Sequence, residues 1–344
     1  MKGVAGRATR CRYAIVKSID GVILSRDAQI ATILATGCSG FLGRHCLDEL
    51  VRQGSCVHAV SRFKTGMSDE GVVWHALDLN SREAVRALMA RLRPTHLLHL
   101  AWITTPELYR FAPENLDWLE ASLALIRAFG EHGGRRLVGV GSSMEYDASD
   151  EPCSEDKTPI RPVTPYGRCK SALWMAAEAC AQRYGFSAAW GRVFMPYGPG
   201  DPLQRLIPSL IAAFSAGRQI NVTDGRQLRD FIYAPDVAAL LVGLLESQDA
   251  AGAFNVGTGR GVTVRQVIEL VADRYNARDL LCWGARVKRE DEPLSLVADM
   301  SKVQRVLHWS ASTTIEDGLE RLMQTSQSTS PARSNRRTTG TCAS

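Results

Sequence analysis

The sequence is most informative at Thr36-Gly37-Cys38-Ser39-Gly40-Phe41-Leu42-Gly43, which follows an apolar, β-branched run over residues 30–35 and opens a helical pattern. Gly37 permits a tight turn, Gly40 lets backbone approach a pyrophosphate, and Gly43 lets helix and strand pack closely. The N-terminus of the following helix offers free N–H groups to an anion. A purely structural turn is the alternative, but the strand–turn–helix context favours a dinucleotide phosphate site.

Short apolar runs alternate with longer helical patterns over the first two hundred or so residues. The predicted strands cover 30–35, 55–61, 96–100, 136–141 and 188–194, and the predicted helices cover 44–53, 81–92, 115–129 and 166–184. Alternation at this pitch predicts an α/β fold with a Rossmann-type, doubly wound parallel sheet. Beyond Pro196 the alternation loosens, which predicts a smaller C-terminal α/β lobe over the carboxyl edge of the sheet, where ligands bind in such folds.

These patterns divide the chain into four parts. Residues 29–195 form the predicted NAD(P)-binding Rossmann domain, to which 228–256 return, and 196–324 form the predicted substrate-binding lobe. Residues 1–28 are an N-terminal extension, either floppy, a cleaved targeting segment or an over-long start. Residues 325–344 consist mainly of Ser, Thr, Arg, Pro and Gly, which predicts a disordered tail.

Composition excludes several classes of protein. Of the 344 residues, 45% are hydrophobic and 22% charged, which is too apolar for a disordered chain. No apolar run approaches the roughly 18 residues of a membrane span. The net charge of +5 resides in the ends, because residues 1–29 carry +4 and 325–344 carry +3, which leaves −2 on the body. No nucleic-acid footprint is therefore expected on the body.

Cysteine and histidine patterns predict neither disulfides nor a metal site. The nine cysteines are irregularly spaced and include no CxxC pair. Cys46 and Cys180 fall within helix-like apolar patterns, where a thiol acts as a small hydrophobe. Reduced cysteines favour a cytoplasmic location. His96 and His99 lie three apart in a predicted strand, which places them on opposite faces.

The end of the second predicted strand indicates which cofactor binds. A carboxylate there would bind the adenosine 2′-hydroxyl of NAD, but the sequence has Ser61-Arg62. A guanidinium suits a 2′-phosphate, so NADP(H) is favoured, NAD(H) is possible, and a solvated surface arginine is the structural alternative. Asp78, followed by Leu79, is positioned to meet the adenine ring, although a helix N-cap would have the same sequence.

Tyr166 and Lys170 are the candidate reactive pair. Their i, i+4 spacing places phenol and ammonium on one helical face, where the ammonium would lower the tyrosine pKa from about 10. Such a phenol gives a proton to a carbonyl oxygen, or takes one from an alcohol, while hydride moves at the carbon. Ser142 or Ser143, at the end of the preceding strand, would hydrogen-bond the reacting oxygen. A surface pair is the weaker interpretation, because these residues follow a phosphate loop and a strand that ends in serines.

With these motifs the chain resembles the extended short-chain dehydrogenase/reductases, in particular the NAD-dependent epimerase/dehydratase family of nucleotide-sugar enzymes. The resemblance covers roughly residues 31–322 and rests on TGCSGFLG (36–43), HLAW (99–102), SSMEY (142–146), YGRCK (166–170), YGPG (197–200), RDFIYAPDVA (229–238) and FNVGTG (254–259). It implies that Ser142, Tyr166 and Lys170 are catalytic. It also implies cofactor contacts from Gly37, Ser39, Gly40, Phe41, Leu42, Gly43, Ser61, Arg62, Asp78, Leu79, Leu100, Ala101, Tyr166 and Lys170.

The resemblance further implies that the substrate is a nucleotide sugar. Arg229 matches an arginine that contacts the nucleotide phosphates, Arg289 matches a second, and Ser143 borders the sugar. The family's dehydratases carry an Asp-Glu pair where this chain has Ser143 and Met144, so dehydration is not expected. A helix asparagine common in the family aligns with Trp118, with Asn115 three residues earlier.

The function that these features predict is an NADPH-dependent reductase of a nucleotide-linked 4-keto-6-deoxyhexose in deoxysugar biosynthesis, because residues 142–170 are similar to sugar 4-ketoreductases. The first alternative is a nucleotide-sugar 4-epimerase with tightly bound NAD, against which Arg62 counts. Chemistry on a non-sugar carbonyl and a non-catalytic NAD(P)-binding scaffold are further alternatives, although a scaffold need not keep the Tyr–Lys pair. The resemblance also implies a homodimer through apolar helix faces at 116–129 and 173–181, although packing within one chain would give the same pattern.

Overall fold

The computed structural model describes residues 31–63, 70–147, 151–289 and 292–328. Its first half alternates strands and helices where the sequence predicts them, within one to three residues at most boundaries. The elements are β1 (Ile33–Thr36), α1 (Phe41–Arg52), β2 (Val57–Ser61), β3 (Val72–Ala76), α2 (Arg82–Leu92), β4 (His96–His99), α3 (Glu114–Glu131), β5 (Arg136–Ser142), α4 (Pro165–Tyr184) and β6 (Ser187–Val193). A 3₁₀ turn, Ser143–Glu145, follows β5 directly.

The second half has shorter elements. They are β7 (Met195–Tyr197), α5 (Leu206–Ser215), β8 (Ile220–Val222), β9 (Leu228–Arg229), β10 (Phe231–Tyr233), α6 (Ala234–Glu246), β11 (Gly252–Val256), β12 (Val262–Thr263), α7 (Val264–Tyr275), β13 (Leu281–Trp283), β14 (Ser295–Leu296), α8 (Ser301–Leu307) and α9 (Ile315–Ser328). α9 therefore extends four residues into the segment predicted as a tail.

Within the described residues the central sheet has seven parallel strands in the order β11-β6-β5-β4-β1-β2-β3. The prediction of a doubly wound Rossmann-type sheet is thus confirmed. The chain winds outward in both directions from β1, so the strand order reverses between β1 and β4. Ligands of such sheets bind at this switch point, outside the carboxyl ends of the strands.

Alternation along the strands explains why helices cover both faces. In β1, Ile33 and Ala35 belong to one buried apolar cluster and Leu34 to another, because successive side chains point to opposite faces. The first cluster includes residues of α1 and α6, and the second includes residues of α2, α3 and α4. All four residues of β1 are buried, and the first three are apolar, as expected for a strand covered on both faces.

A third apolar cluster lies in the second half of the chain, where α5, α7 and α9 pack around Tyr197, Phe231 and Tyr233. β10 pairs with β7, and β9 lies between β12 and β14 in a three-stranded sheet. Of the segment predicted to return to the Rossmann domain, α6 packs on α1 and β11 extends the central sheet. Residues 228–233 belong to the small sheets instead.

Several sequence expectations concern the chain as a whole. In the described residues seven cysteines are free thiols, and Cys11 and Cys342 lie outside these residues. No helix in the described ranges has the length and apolar character to traverse a membrane. No group of three or more His, Cys, Asp or Glu side chains in those ranges could hold a metal ion. The predicted N-terminal extension and residues 329–344 of the predicted tail lie outside the described residues.

Candidate active site

The phosphate loop connects β1 to α1 through a turn that only glycine fits. Gly37 has φ +75°, and a Cβ there would lie 2.7 Å from the Ala101 backbone nitrogen. A Cβ at Gly43 would lie 2.0 Å from the Gly37 carbonyl oxygen, so the helix packs directly on the turn. Gly40 caps α1 without a side-chain hydrogen bond, which leaves the first N–H groups of the helix open to the cleft. This cradle fits a pyrophosphate.

A cleft of about 590 Å³ opens at the carboxyl ends of the central strands and is closed on its far side by the second lobe. The predicted cofactor residues that line it are Gly37, Ser39, Gly40, Phe41, Leu42, Gly43, Ser61, Arg62, Leu79, Leu100, Ala101, Tyr166 and Lys170. Asp78 is the exception. It is exposed outside this lining, and its carboxylate accepts the Asn80 backbone N–H at 3.0 Å. The cap of α2 is Ser81, so Asp78 is not that helix's N-cap either.

The end of β2 places a cation at the cofactor end of the cleft. Ser61 is buried, whereas Arg62 is exposed, with its guanidinium carbon 5.8 Å from the Phe63 ring centroid. Both residues line the cleft. The residues present therefore fit an NAD(P) dinucleotide.

The start of α4 brings the reactive pair to the end of β5. Thr164 caps the helix by accepting the Gly167 N–H at 3.2 Å, and Pro165 occupies the first turn. A Cβ at Gly167 would lie 2.5 Å from the Met144 carbonyl oxygen, so α4 approaches the 3₁₀ turn closely. Tyr166 therefore lies beside Ser142, whose side chain hydrogen-bonds the phenol. The structure brings Ser142, Tyr166 and Lys170 together in the cleft lining.

Lys170 is deeply buried for a charged residue. Its Nζ donates to the Val140 carbonyl oxygen at 2.7 Å and lies 4.0 Å from the centroid of a Trp102 ring. Burial lowers the Lys170 pKa to about 7, and the negative charge of Glu145 opposes this effect. His99, which lies between Thr36 and Ser122, is kept neutral by burial and by Lys170.

The Tyr166 phenol has a pKa above its ordinary value. Burial is the main cause, Tyr109 adds to it, and the hydrogen bond from Ser142 acts in the opposite direction. Lys170 is not among the causes, since its Nζ is 5.9 Å from the ring centroid and is held by Val140. The expectation that the Lys170 ammonium lowers the Tyr166 pKa is therefore wrong for this structure. Here the phenol is a protonated acid at neutral pH.

An apolar wall surrounds the phenol. Trp102 and Met144 lie in quoted motifs that give them no such role, and Tyr109 lies outside every motif. The Tyr109 ring lies edge-on at 4.9 Å from the Tyr166 ring, and its hydroxyl donates to the Met144 sulfur at 3.8 Å. The Trp102 indole N–H donates to buried Asn115 at 2.8 Å, so Asn115 rather than Trp118 supports the site. Tyr109 comes from a loop without periodicity, so no sequence signal places it here.

Two predicted substrate residues differ from expectation. Ser143 lies buried in the 3₁₀ turn, outside the cleft lining, so the structure does not place it for a sugar contact. Arg229 lines the cleft, but its guanidinium donates to Glu292 at 3.0 Å and to three carbonyl oxygens at 2.8–3.3 Å, those of Leu228, Pro293 and Leu294. Arg289 is exposed in the same lining. Most Arg229 donors are thus used within the protein, and Arg289 is the better placed of the two for a phosphate.

Comparisons with known proteins agree with this geometry. Residues 33–257 match the model of the NAD dependent epimerase/dehydratase family. UDP-glucose 4-epimerase 4 of Oryza sativa subsp. japonica is 26% identical over 83% of this chain and 87% of its own. dTDP-4-dehydro-6-deoxyglucose reductase of Escherichia coli is 23% identical over 87% of this chain and 98% of its own. The solved structure of MoeE5 in complex with UDP-glucuronic acid and NAD is 31% identical, covers 87% of this chain and 99% of its own, and has a TM-score of 0.77.

The fold and the cleft define an NAD(P)-dependent enzyme of the oxidoreductase type. The chain belongs to the NAD dependent epimerase/dehydratase family, whose members compared here are named as nucleotide-sugar epimerases and reductases.

Proposed function

We propose that this protein is an NADPH-dependent reductase of a nucleotide-linked 4-keto-6-deoxyhexose. The proposal rests on the position of Arg62, which lines the cofactor end of the cleft just after β2. A guanidinium at this position suits a 2′-phosphate through charge and a planar set of donors, whereas a carboxylate would suit the 2′-hydroxyl of NAD. NADPH is the usual reductant of biosynthetic carbonyl reduction, so this choice of cofactor supports a net reduction.

The proposed reaction converts the C4 carbonyl of the sugar to an alcohol. Tyr166 donates its phenolic proton to the carbonyl oxygen, and Ser142 hydrogen-bonds the same oxygen and orients it. Lys170 holds the cofactor ribose, and solvent returns the proton to the phenolate. NADPH, when bound, supplies the hydride to C4. The phenol is protonated at neutral pH, as this direction requires, because the reaction begins with proton donation.

The wall around Tyr166 supports a deoxysugar and opposes a dehydratase. Tyr109 and Met144 present a ring and a thioether beside the phenol, surfaces that suit a methyl group better than a carboxylate. The 4,6-elimination of water needs an acid–base pair beside the catalytic serine. Ser143 and Met144 cannot provide it, because a thioether has no titratable proton.

A nucleotide-sugar 4-epimerase is the second candidate. It is favoured by the name of the rice relative and by MoeE5, whose structure contains a UDP-sugar and NAD. An epimerase would use the same three residues, with Tyr166 first taking the C4 hydroxyl proton and later returning it. The cofactor would then be reoxidised and stay bound through turnover.

The two candidates differ in net redox change. Purified protein is given NADPH or NADH with an enzymatically generated nucleotide 4-keto-6-deoxyhexose, and reduced cofactor is followed by its near-ultraviolet absorbance. We expect turnover with a preference for NADPH, and no turnover with Tyr166→Phe, which keeps the ring and removes the proton. Absence of oxidation, with NAD released on denaturing the protein and UDP-sugars interconverted, would establish the epimerase instead.

A further inference from the structure

Glu145 is a completely buried carboxylate directly behind the site, in the 3₁₀ turn that follows β5. Its Oε1 accepts the Ser142 backbone N–H at 2.8 Å and the Trp190 indole N–H at 3.0 Å. Its Oε2 accepts Arg192 Nε at 2.9 Å. Arg192 is itself 4% exposed, so this ion pair is isolated from solvent.

The backbone is built to admit this carboxylate. A Cβ at Gly141 would lie 2.4 Å from Glu145 Oε1 and 2.2 Å from the Trp190 indole nitrogen. Only glycine at 141 therefore lets the carboxylate and the indole rest on β5. A core made of apolar side chains would be simpler and as stable, because a buried ion pair seldom adds stability. The position of the Glu145–Arg192 ion pair behind the site therefore indicates a role in the function of the site.

The contacts of Glu145 reach the catalytic serine. Ser142 and Glu145 form a capping box, in which the carboxylate accepts the Ser142 N–H and the Ser142 hydroxyl accepts the Met144 N–H at 3.2 Å. The same hydroxyl acts on the Tyr166 phenol and lowers its pKa. Loss of the Glu145 contact would release both the peptide and the hydroxyl orientation of Ser142.

The charge of Glu145 also acts on Lys170. The groups around this ammonium are His99 on β4, Tyr166 on α4, the indoles of Trp102 and Trp190, and Glu145 in the turn. His99 is neutral and Tyr166 is protonated, so Glu145 supplies the negative charge of this group. Arg192 binds the outer oxygen Oε2 and leaves Oε1 on the side of Ser142.

We infer that Glu145 is a positioning residue, which holds the Ser142 peptide and places a fixed negative charge behind the Lys170 ammonium. This inference rests on the proposed roles of Ser142 and Lys170. The ion pair with Arg192 then fixes the carboxylate, so that its negative charge stays behind the site. The conservative change Glu145→Gln keeps the shape and one acceptor oxygen for the Ser142 N–H. It removes the charge and places an amide NH2 against the Arg192 Nε donor.

The direct test measures Lys170 without any substrate. The chain has seven lysines, so protein labelled with ¹³C at lysine Cε gives few resonances, and that of Lys170 is assigned by its loss in Lys170→Arg. We expect Glu145→Gln to lower the Lys170 pKa by about one pH unit, the size of a nearby charge effect. The matched control is Glu155→Gln, at a partly buried acid that accepts the Asn255 N–H at 2.7 Å, and it should leave the Lys170 pKa unchanged. An unchanged Lys170 pKa in Glu145→Gln overturns the inference.

The kinetic test uses the reductase assay. Because activity needs the ammonium, kcat falls as pH rises through the Lys170 pKa, and this alkaline limb should move to lower pH in Glu145→Gln but not in Glu155→Gln. If Glu145→Gln does not fold, Glu145→Asp keeps the charge and withdraws the acceptor from Ser142. We expect its kcat to fall at least tenfold with an unchanged KM, and an unchanged kcat contradicts the inference. Absence of turnover in the wild-type protein would refute the proposed function. The titration of Lys170 would still show whether the charge of Glu145 acts on this lysine.

Discussion

At the scale of single residues, the site works with groups whose burial shifts them away from their solution behaviour. Burial raises the Tyr166 pKa and lowers that of Lys170 to about 7, because each charged form loses water. The phenol therefore rests as an acid, and the lysine rests near the midpoint of its titration.

We propose that Arg62 determines which cofactor is used. Replacing it with alanine removes charge-assisted hydrogen bonds worth about 1.5–3 kcal/mol, so the KM for NADPH should rise roughly 10- to 100-fold. The KM for NADH should stay nearly constant, because NADH has no 2′-phosphate. Steady-state kinetics with both cofactors measure the change. Arg82→Ala is the matched control, since Arg82 is exposed and pairs with Glu120 on the helices. Equal effects on the two cofactors would refute a 2′-phosphate contact.

Lys170 should make the protein less stable than an apolar residue would. The unfolded lysine keeps its proton to about pH 10.4, whereas folded Lys170 loses it near pH 7, so wild-type stability rises with pH between these values. Lys170→Met should therefore raise the free energy of unfolding at pH 6 by about 1–3 kcal/mol, since one unit of pKa shift is worth about 1.4 kcal/mol and one hydrogen bond is lost. Urea unfolding should show a smaller gain at pH 9. Lys157→Met, at an exposed lysine, is the control. The argument is contradicted if the difference in free energy of unfolding between Lys170→Met and wild type does not narrow from pH 6 to pH 9.

At the scale of elements, the phosphate loop and α1 form one unit with no spare volume. A methyl group at Gly43 would meet the Gly37 carbonyl oxygen at 2.0 Å, and two backbone segments cannot both yield. Gly43→Ala should destabilise the fold by about 1–3 kcal/mol or more and abolish cofactor binding. Gly243→Ala is the control within α6, where nothing lies within 4 Å, and it should stabilise by up to about 1 kcal/mol. Urea unfolding and a fluorescence titration with NADPH measure both. Normal cofactor affinity in the Gly43→Ala protein would contradict this expectation, because it would show that the loop can move to admit the methyl group.

Elements were predictable from sequence where the signal is local. The spacing of Gly37, Gly40 and Gly43, and that of Tyr166 and Lys170, encodes a turn and a helix face that the structure contains. The wall around the phenol was not predictable, because its members come from separate loops and meet only in the folded chain. Contacts also changed the interpretation of Arg229, whose donors are taken by residues more than sixty positions away. Local patterns identified the reactive groups, and tertiary contacts determine what each group is free to do.

At the scale of the whole molecule, the cleft depends on two halves of the chain that meet at the carboxyl edge of one sheet. The first half provides the phosphate loop and the Tyr–Lys pair, and the second provides Arg229 and Arg289. We propose that cofactor and nucleotide sugar bind from these opposite sides, with residues 29–195 together with α6 and β11 as the cofactor-binding part. Glu107 and Arg286 form an ion pair of 3.3 Å between the halves, and both line the cleft.

The apolar side chains of α3 and α4 bear on whether two chains associate. Most of the apolar residues on α3 and α4, such as Leu125, Phe129 and Leu173, are buried within one chain, so much of the pattern that suggested a dimer is intramolecular packing. Leu116 and Met175 remain 66% and 62% exposed on these helices. Burial of large apolar side chains drives association, so we predict a homodimer through α3 and α4.

Met175→Asp should convert that dimer to a monomer, because the interface would then have to bury a carboxylate without a partner. Sedimentation velocity over a range of protein concentrations measures the change in mass. Leu203→Asp is the matched control, since Leu203 is 70% exposed but lies outside both helices, and it should leave the dimer intact. Wild-type protein that sediments as a monomer at every concentration would contradict the dimer. Cofactor binding should survive in the Met175→Asp monomer, because the described lining of the cleft comes from a single chain.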